Sequence, residues 1–164
     1  MRRLILIAHD IRSCHNVGSL LRTADGLGVE KVYLTGYTPF PVGPDDTRLP
    51  HEAARLDKQI SKTALGAEKT QPWEHIASLD DVLAMLQEKG YTVAVLEQSP
   101  TSVKLPDFSP PTAVALLLGS EVDGVAPELL ARIPLHIEIP MFGRKESFNV
   151  VQAAAMTLYH LRFA

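Results

Sequence analysis

An alternation of patterns constrains this chain more than any single motif. Short apolar runs at 3–8 (RLILIA), 31–36 (KVYLTG), 91–97 (YTVAVLE), 112–120 (TAVALLLGS) and 135–141 (LHIEIPM) read as strands. Helical periodicity appears between or after them, at 17–27, 78–90, 126–133 and 147–163. Strands joined through helices must cross over, so they pair in parallel and predict a layered α/β domain with a parallel sheet. The run at 112–120 is apolar without interruption, as a strand covered on both faces requires. Ser78 predicts an N-cap for the helix at 78–90, Asp80 and Asp81 sit in its positive first turn, and Gly90 ends it. Residues 37–50, rich in proline and aspartate, predict a loop, and 51–75 is ambiguous beyond a helical first half.

With 164 residues and no repeat, low-complexity tract or linker, one domain is expected, without an added substrate-binding domain. No apolar run is long enough to cross a bilayer. The run after Arg2 and Arg3 meets a charge at Asp10, so it reads as a first strand rather than a signal peptide. The lone cysteine, Cys14, excludes an internal disulfide and fits a reducing, cytoplasmic setting. The net charge of −3 is not that of a general nucleic-acid binder, yet its distribution is uneven. Residues 1–72 carry +2 and residues 73–164 carry −5, which is either scatter or a local basic surface able to meet a polyanion. The six histidines show no ligand spacing, so no metal is expected.

Three segments stand out. In 14–29 (CHNVGSLLRTADGLGV), Val17, Leu20, Leu21, Ala24, Leu27 and Gly28 form one apolar stripe, with Asn16 as a natural N-cap. Arg22 lies opposite, flanked by Gly18 and Gly26, each costing about 1 kcal/mol against alanine. Either Arg22 is an exposed cation paired with Asp25, or the glycines clear room for a phosphate or ribose to reach its planar fork. In 116–130, Gly119 ends a buried strand, where ligands of open α/β sheets collect, and Glu121 projects over that edge, either solvated or functional. In 137–161, Ser147 and Asn149 sit at the entry of a helix that they either cap or equip, and Ala153–Ala155 leaves it thin enough for close packing.

Together these segments resemble the SpoU/TrmH family of SPOUT-class RNA 2′-O-ribose methyltransferases. Asn16, Gly18 and Arg22 match its Asn-x-Gly-x-x-x-Arg motif, and Gly119, Glu121 and Gly124 its Gly-x-Glu-x-x-Gly motif. Ile139, Pro140 and Met141, then SFNVVQAAA, match its third, with Phe148 in place of leucine and Val151 in place of a serine. The resemblance implies a C-terminal deep trefoil knot holding S-adenosylmethionine at Leu96, Gly119, Ile139, Met141, Ser147 and Phe148. It implies catalytic roles for Asn16, Arg22, Glu121, Ser147 and Asn149, and a homodimer in which Arg22 can serve the partner's cofactor. RNA contacts are expected from Arg12, Arg22, Arg55 and Lys62 in the basic half, which also holds Arg48, Lys58 and Lys69. Residues 62–69 (KTALGAEK) resemble a stretch of members that methylate a guanosine in the tRNA D-loop, which favours tRNA over ribosomal RNA. Two other classes stay open: a nicotinamide-dependent oxidoreductase, which lacks its G-x-G-x-x-G after a strand, and a non-catalytic RNA-binding module.

Overall fold

The computed structural model describes residues 1–164. Seven strands form one sheet: β1 (Arg3–His9), β2 (Lys31–Thr35), β3 (Trp73–Ile76), β4 (Thr92–Leu96), β5 (Val103–Lys104), β6 (Ala113–Leu118) and β7 (His136–Glu138). Their order is β3-β2-β1-β6-β4-β7-β5 and every pairing is parallel. The expected α/β architecture is therefore observed. β3 and β5 were missing from the sequence reading, because WEHI and VK are too short and too polar to stand out.

Six helices cover the sheet: α1 (Cys14–Gly26), α2 (Pro50–Ala64), α3 (Ala67–Thr70), α4 (Leu79–Glu88), α5 (Pro127–Arg132) and α6 (Val150–Phe163). Alternate residues of each strand face opposite layers. Val114, Leu116 and Leu118 of β6 join Leu4, Leu6 and Ala8 of β1 beneath α1, α2 and α6. Ala115 and Leu117 join Ile5, Ile7 and Val95 beneath α4 and α5. Complete burial of β6 explains its uninterrupted apolar sequence.

α1 departs from expectation in two ways. It begins three residues earlier, capped by Ser13, whose hydroxyl accepts from the Asn16 amide at 3.2 Å, so Asn16 is not the cap. Gly18 is buried against α2: a Cβ there would lie 2.2 Å from the Ile60 carbonyl oxygen. Gly18 thus permits close helix packing instead of clearing room beside Arg22. Gly26, with nothing near its missing Cβ, lies in open space, and Asp25 accepts from Thr70 at 3.0 Å rather than pairing with Arg22. At the other end of the chain, Arg162 donates to the carbonyls of Arg2, Leu27 and Gly28, which pins α6 onto α1 and β1.

Candidate active site

All strands point the same way, so their carboxyl ends share one edge, where ligands of open α/β sheets bind. A cleft of about 670 Å³ opens there beyond β4, β6 and β7, a size suited to a small molecule. Its floor is Leu96, Leu118, Ile137 and Ile139, and its walls are the 119–124 turn and the 139–149 segment.

The 119–124 turn is closed on itself. Ser120 and Gly124 exchange backbone hydrogen bonds of 3.1 and 3.0 Å. A Cβ on Gly119 would meet the Gly124 carbonyl at 2.5 Å, so only glycine fits. Gly124 itself has φ +64, and a Cβ there would strike the Glu97 carboxylate. Glu97 in turn accepts from the Val125 amide at 3.2 Å, tying β4 to the turn.

Glu121 ties that turn to α1. Its carboxylate accepts from the amides of Arg12 at 2.9 Å and Ser13 at 3.1 Å, and from the Asn16 side chain at 3.0 Å. This places a negative charge at the helix's positive end. Burial pushes the Glu121 pKa up, but the bonds from Arg12, Asn16 and Ser13 outweigh it and hold the carboxyl below its usual range. The carboxylate holds Asn16 at the cleft rim, while Arg12 reaches Asp123 at 3.6 Å.

Asn149 caps α6, its Oδ1 accepting from the Val151 amide at 2.9 Å, which leaves its NH2 as a donor beside the cleft. Ser147 lines the cleft and does not cap the helix. Met141 and Phe148 complete the wall, and Gln98 donates to the Glu146 carbonyl at 3.4 Å.

Nine of the expected residues therefore surround one space: Asn16, Leu96, Gly119, Glu121, Ile139, Met141, Ser147, Phe148 and Asn149. Arg22 does not. It is exposed on α1 six residues beyond Asn16, about 9 Å further along the axis, and lines no part of this cleft. Arg55 and Lys62 are exposed on α2, and Arg12 lines a neighbouring pocket instead. Arg48 is not free to grip anything: its side chain donates to Asp46 and to the carbonyls of Phe40 and Pro41. Glu121 was expected at the cleft, and four further acids were not: Glu97, Asp123, Glu138 and Glu146 line it too, and no lysine or arginine does. For two of them the available signal was position, since Glu97 directly follows β4 and Glu138 is the last residue of β7. No group of three or more His, Cys, Asp or Glu gathers as a metal site would need, and no helix is long and apolar enough to cross a membrane.

The profile of the SpoU rRNA Methylase family matches residues 3–159. A 23S rRNA (guanosine-2′-O-)-methyltransferase RlmB of Neisseria meningitidis is 33% identical over 159 residues, 97% of this chain and 58% of the relative. The chain thus spans less than two thirds of that relative's length. Among solved structures, an AdoMet-bound rRNA methyltransferase from Sinorhizobium meliloti superposes with TM-score 0.79 at 23% identity, covering 98% of this chain and 56% of that one. A TrmH/SpoU tRNA modifying enzyme of A. aeolicus gives TM-score 0.78 at 23% identity, with 99% and 75% covered.

Proposed function

The chain belongs to the SpoU rRNA methylase family, and on that premise we propose that it is an S-adenosylmethionine-dependent RNA 2′-O-ribose methyltransferase. One observation carries this reading: three sequence segments more than a hundred residues apart at their extremes meet at one cleft, with Glu121 joining the first to the second.

The residues fit the cofactor. Apolar Leu96, Leu118 and Ile139 suit an adenine ring, and the glycine-only turn at Gly119 brings backbone close to a ligand. Five acids and no base suit a ligand bearing sulfonium and ammonium charges. They disfavour the diphosphate of a nicotinamide dinucleotide, which argues against the oxidoreductase. When bound, S-adenosylmethionine supplies an electrophilic methyl group. The chain's own contribution is position and charge control. Asn16, fixed by Glu121, orients the ribose, while Ser147 and the NH2 of Asn149 line the junction of the two ligands.

Arg22 acts in this reading as a phosphate clamp that polarises the 2′-hydroxyl, because a guanidinium does not give up its proton at neutral pH. Because Arg22 lines no part of its own cleft, this reading has it serve the cleft of a second copy in a homodimer. α6 offers a surface for that pairing: Met156, Tyr159 and Phe163 are exposed, and the last two rings pack at 4.7 Å. The segment after β7 crosses back to put α6 on α1, β1 and β6, which supports threading into a trefoil knot.

Two RNA classes compete. Residues 62–69 favour tRNA, although in the fold they turn α2 into α3, with Thr63 donating to the His15 carbonyl. The 33% identical relative, by its name, acts on 23S rRNA. Methyl transfer from labelled cofactor to tRNA and to rRNA, followed by nucleotide mapping, decides between them. Labelled 2′-O-methylribose is expected, and label on a base or on neither RNA defeats the proposal.

A further inference from the structure

A second cavity, of about 460 Å³, lies beside the cleft at the carboxyl ends of β1 and β2. Arg12, Cys14, Tyr37, Phe40, Arg48 and His75 line it, and no carboxylate does. Arg12 separates it from the cleft, since its amide is bound to Glu121 and its guanidinium reaches Asp123. Arg55 stands close by: burial raises the Cys14 thiol, and the Arg55 charge pulls the other way.

The pocket is built stiffly around one exposed ring. Tyr37 is 56% exposed, yet its backbone is fixed. Its amide donates to Asp10 Oδ1 at 3.1 Å, and Asp10 adopts φ +55, a conformation that non-glycine residues seldom take. Gly36 precedes it at φ +62, where a Cβ would lie 1.9 Å from the same carboxylate oxygen. Thr38, wholly buried, accepts from the Ile11 amide at 3.0 Å and donates to the Ala8 and Thr35 carbonyls. Opposite, Phe40 stacks on His75 at 4.0 Å, with the Arg48 guanidinium 3.6 Å from the Phe40 ring centre. Residues held in sparsely populated backbone conformations, as Asp10 is, cluster at active sites and ligand clamps.

Resting on the proposed function, we infer that this pocket receives a nucleotide flanking the methylated ribose, in single-stranded RNA. Tyr37 offers the face on which its base stacks, and Arg12 meets its phosphate. An aromatic platform beside a solvent-exposed guanidinium, here Arg12, is the chemistry of single-strand RNA recognition. Arg12 borders both cavities, its amide bound to Glu121 and its guanidinium near Asp123, so a strand leaving the cleft meets this pocket next.

The test is binding of a short single-stranded RNA oligonucleotide carrying 2-aminopurine, read by fluorescence quenching, beside methyl transfer by the same preparations. Tyr37→Ala is expected to weaken binding roughly tenfold to a hundredfold and abolish quenching, the range for one stacked base. Tyr37→Phe keeps both, because the ring and not the hydroxyl does the stacking. Arg12→Ala lowers the slope of log Kd against log salt by about one. Unchanged binding and quenching in Tyr37→Ala overturns the inference, as does equal damage in Tyr37→Phe. Guanosine monophosphate binding as tightly as the oligonucleotide also overturns it, by marking a free-nucleotide site. Wild-type quenching without any methyl transfer defeats the enzymatic reading and leaves the pocket standing. Intact transfer with an indifferent Tyr37 does the reverse.

Discussion

Two cavities share one sheet edge and differ in almost everything else. The cleft beyond β4, β6 and β7 is lined by five acids, no base, and a floor of aliphatic side chains. The pocket beyond β1 and β2 is lined by two arginines, no acid, and three aromatic rings. One wall divides them: Arg12 and Ser13 on one side, Glu121 on the other, joined by backbone-to-carboxylate bonds. The uneven charge of the sequence becomes intelligible here. The basic half supplies β1, β2 and their loops, and the acidic half supplies the cleft, so scatter in the sequence is segregation in space.

The largest expected effect separates binding from turnover. Arg22 lines neither cavity of its own chain, so Arg22→Ala should leave cofactor affinity unchanged by calorimetry. Methyl transfer should fall by about 10²–10³-fold, the range for losing one donor aimed at developing charge. Mixing Arg22→Ala with a cleft-damaged Gly119→Ala protein should restore part of the activity, because one hybrid site then has both its parts. No recovery, under conditions where the subunits exchange, would break the assignment of Arg22 to a second copy.

Gly119→Ala comes next and sharpens the contrast between the cavities. The added methyl meets backbone, the Gly124 carbonyl, and cannot rotate away. Overpacking of this kind costs about 1–3 kcal/mol, here paid in distortion of the turn. Cofactor binding should be lost while oligonucleotide quenching at Tyr37 persists. If quenching is lost as well, the two cavities are one site.

Glu121→Gln strikes the wall between them. The carboxylate accepts three hydrogen bonds, and an amide in its place turns a donor toward the Arg12 or Ser13 amide. Hydrogen bonds to a charged group are worth about 1.5–3 kcal/mol when shielded, and solvent screening at the exposed Glu121 reduces this to about 1 kcal/mol for the set, a measurable drop in thermal stability. The pH dependence has a definite sign. The native pKa lies below the unfolded one, so this stabilisation is present above about pH 4.3 and is lost as pH falls through the native value. The stability gap between wild type and Glu121→Gln should therefore be widest near neutrality and close on acidification. A gap independent of pH would remove the charge from the wall.

Much of this was legible in the chain. Strand–helix alternation predicted the parallel sheet, and the uninterrupted 112–120 run predicted the doubly covered β6. Nine of the expected site residues meet at the cleft because motifs at strand ends are brought together by parallel pairing itself. What was illegible depended on contacts between distant segments. Arg48 reads as a free cation until Asp46 and two carbonyls are seen to occupy its donors. Tyr37 reads as loop until the Asp10 side chain is seen fixing it. β5 has two residues, and no periodicity can be read from two.

The smallest effect concerns the glycines on either side of Arg22, identical in sequence terms and opposite in space. If both cleared a path to that arginine, alanine at either should impair RNA binding. In the fold, Gly18 faces the Ile60 carbonyl and Gly26 faces nothing. Gly18→Ala should thus destabilise through helix–helix overpacking by about 1–3 kcal/mol in urea denaturation, with the separation of α1 and α2 as its cause. Gly26→Ala should stabilise by about 0.4–1 kcal/mol, since alanine restricts the unfolded chain and Gly26 does not have the positive φ that would forbid it. Oligonucleotide binding should follow neither change. A loss of binding in Gly26→Ala without loss of stability would mean that RNA passes over α1 after all, and the basic surface would then extend well beyond the Tyr37 pocket.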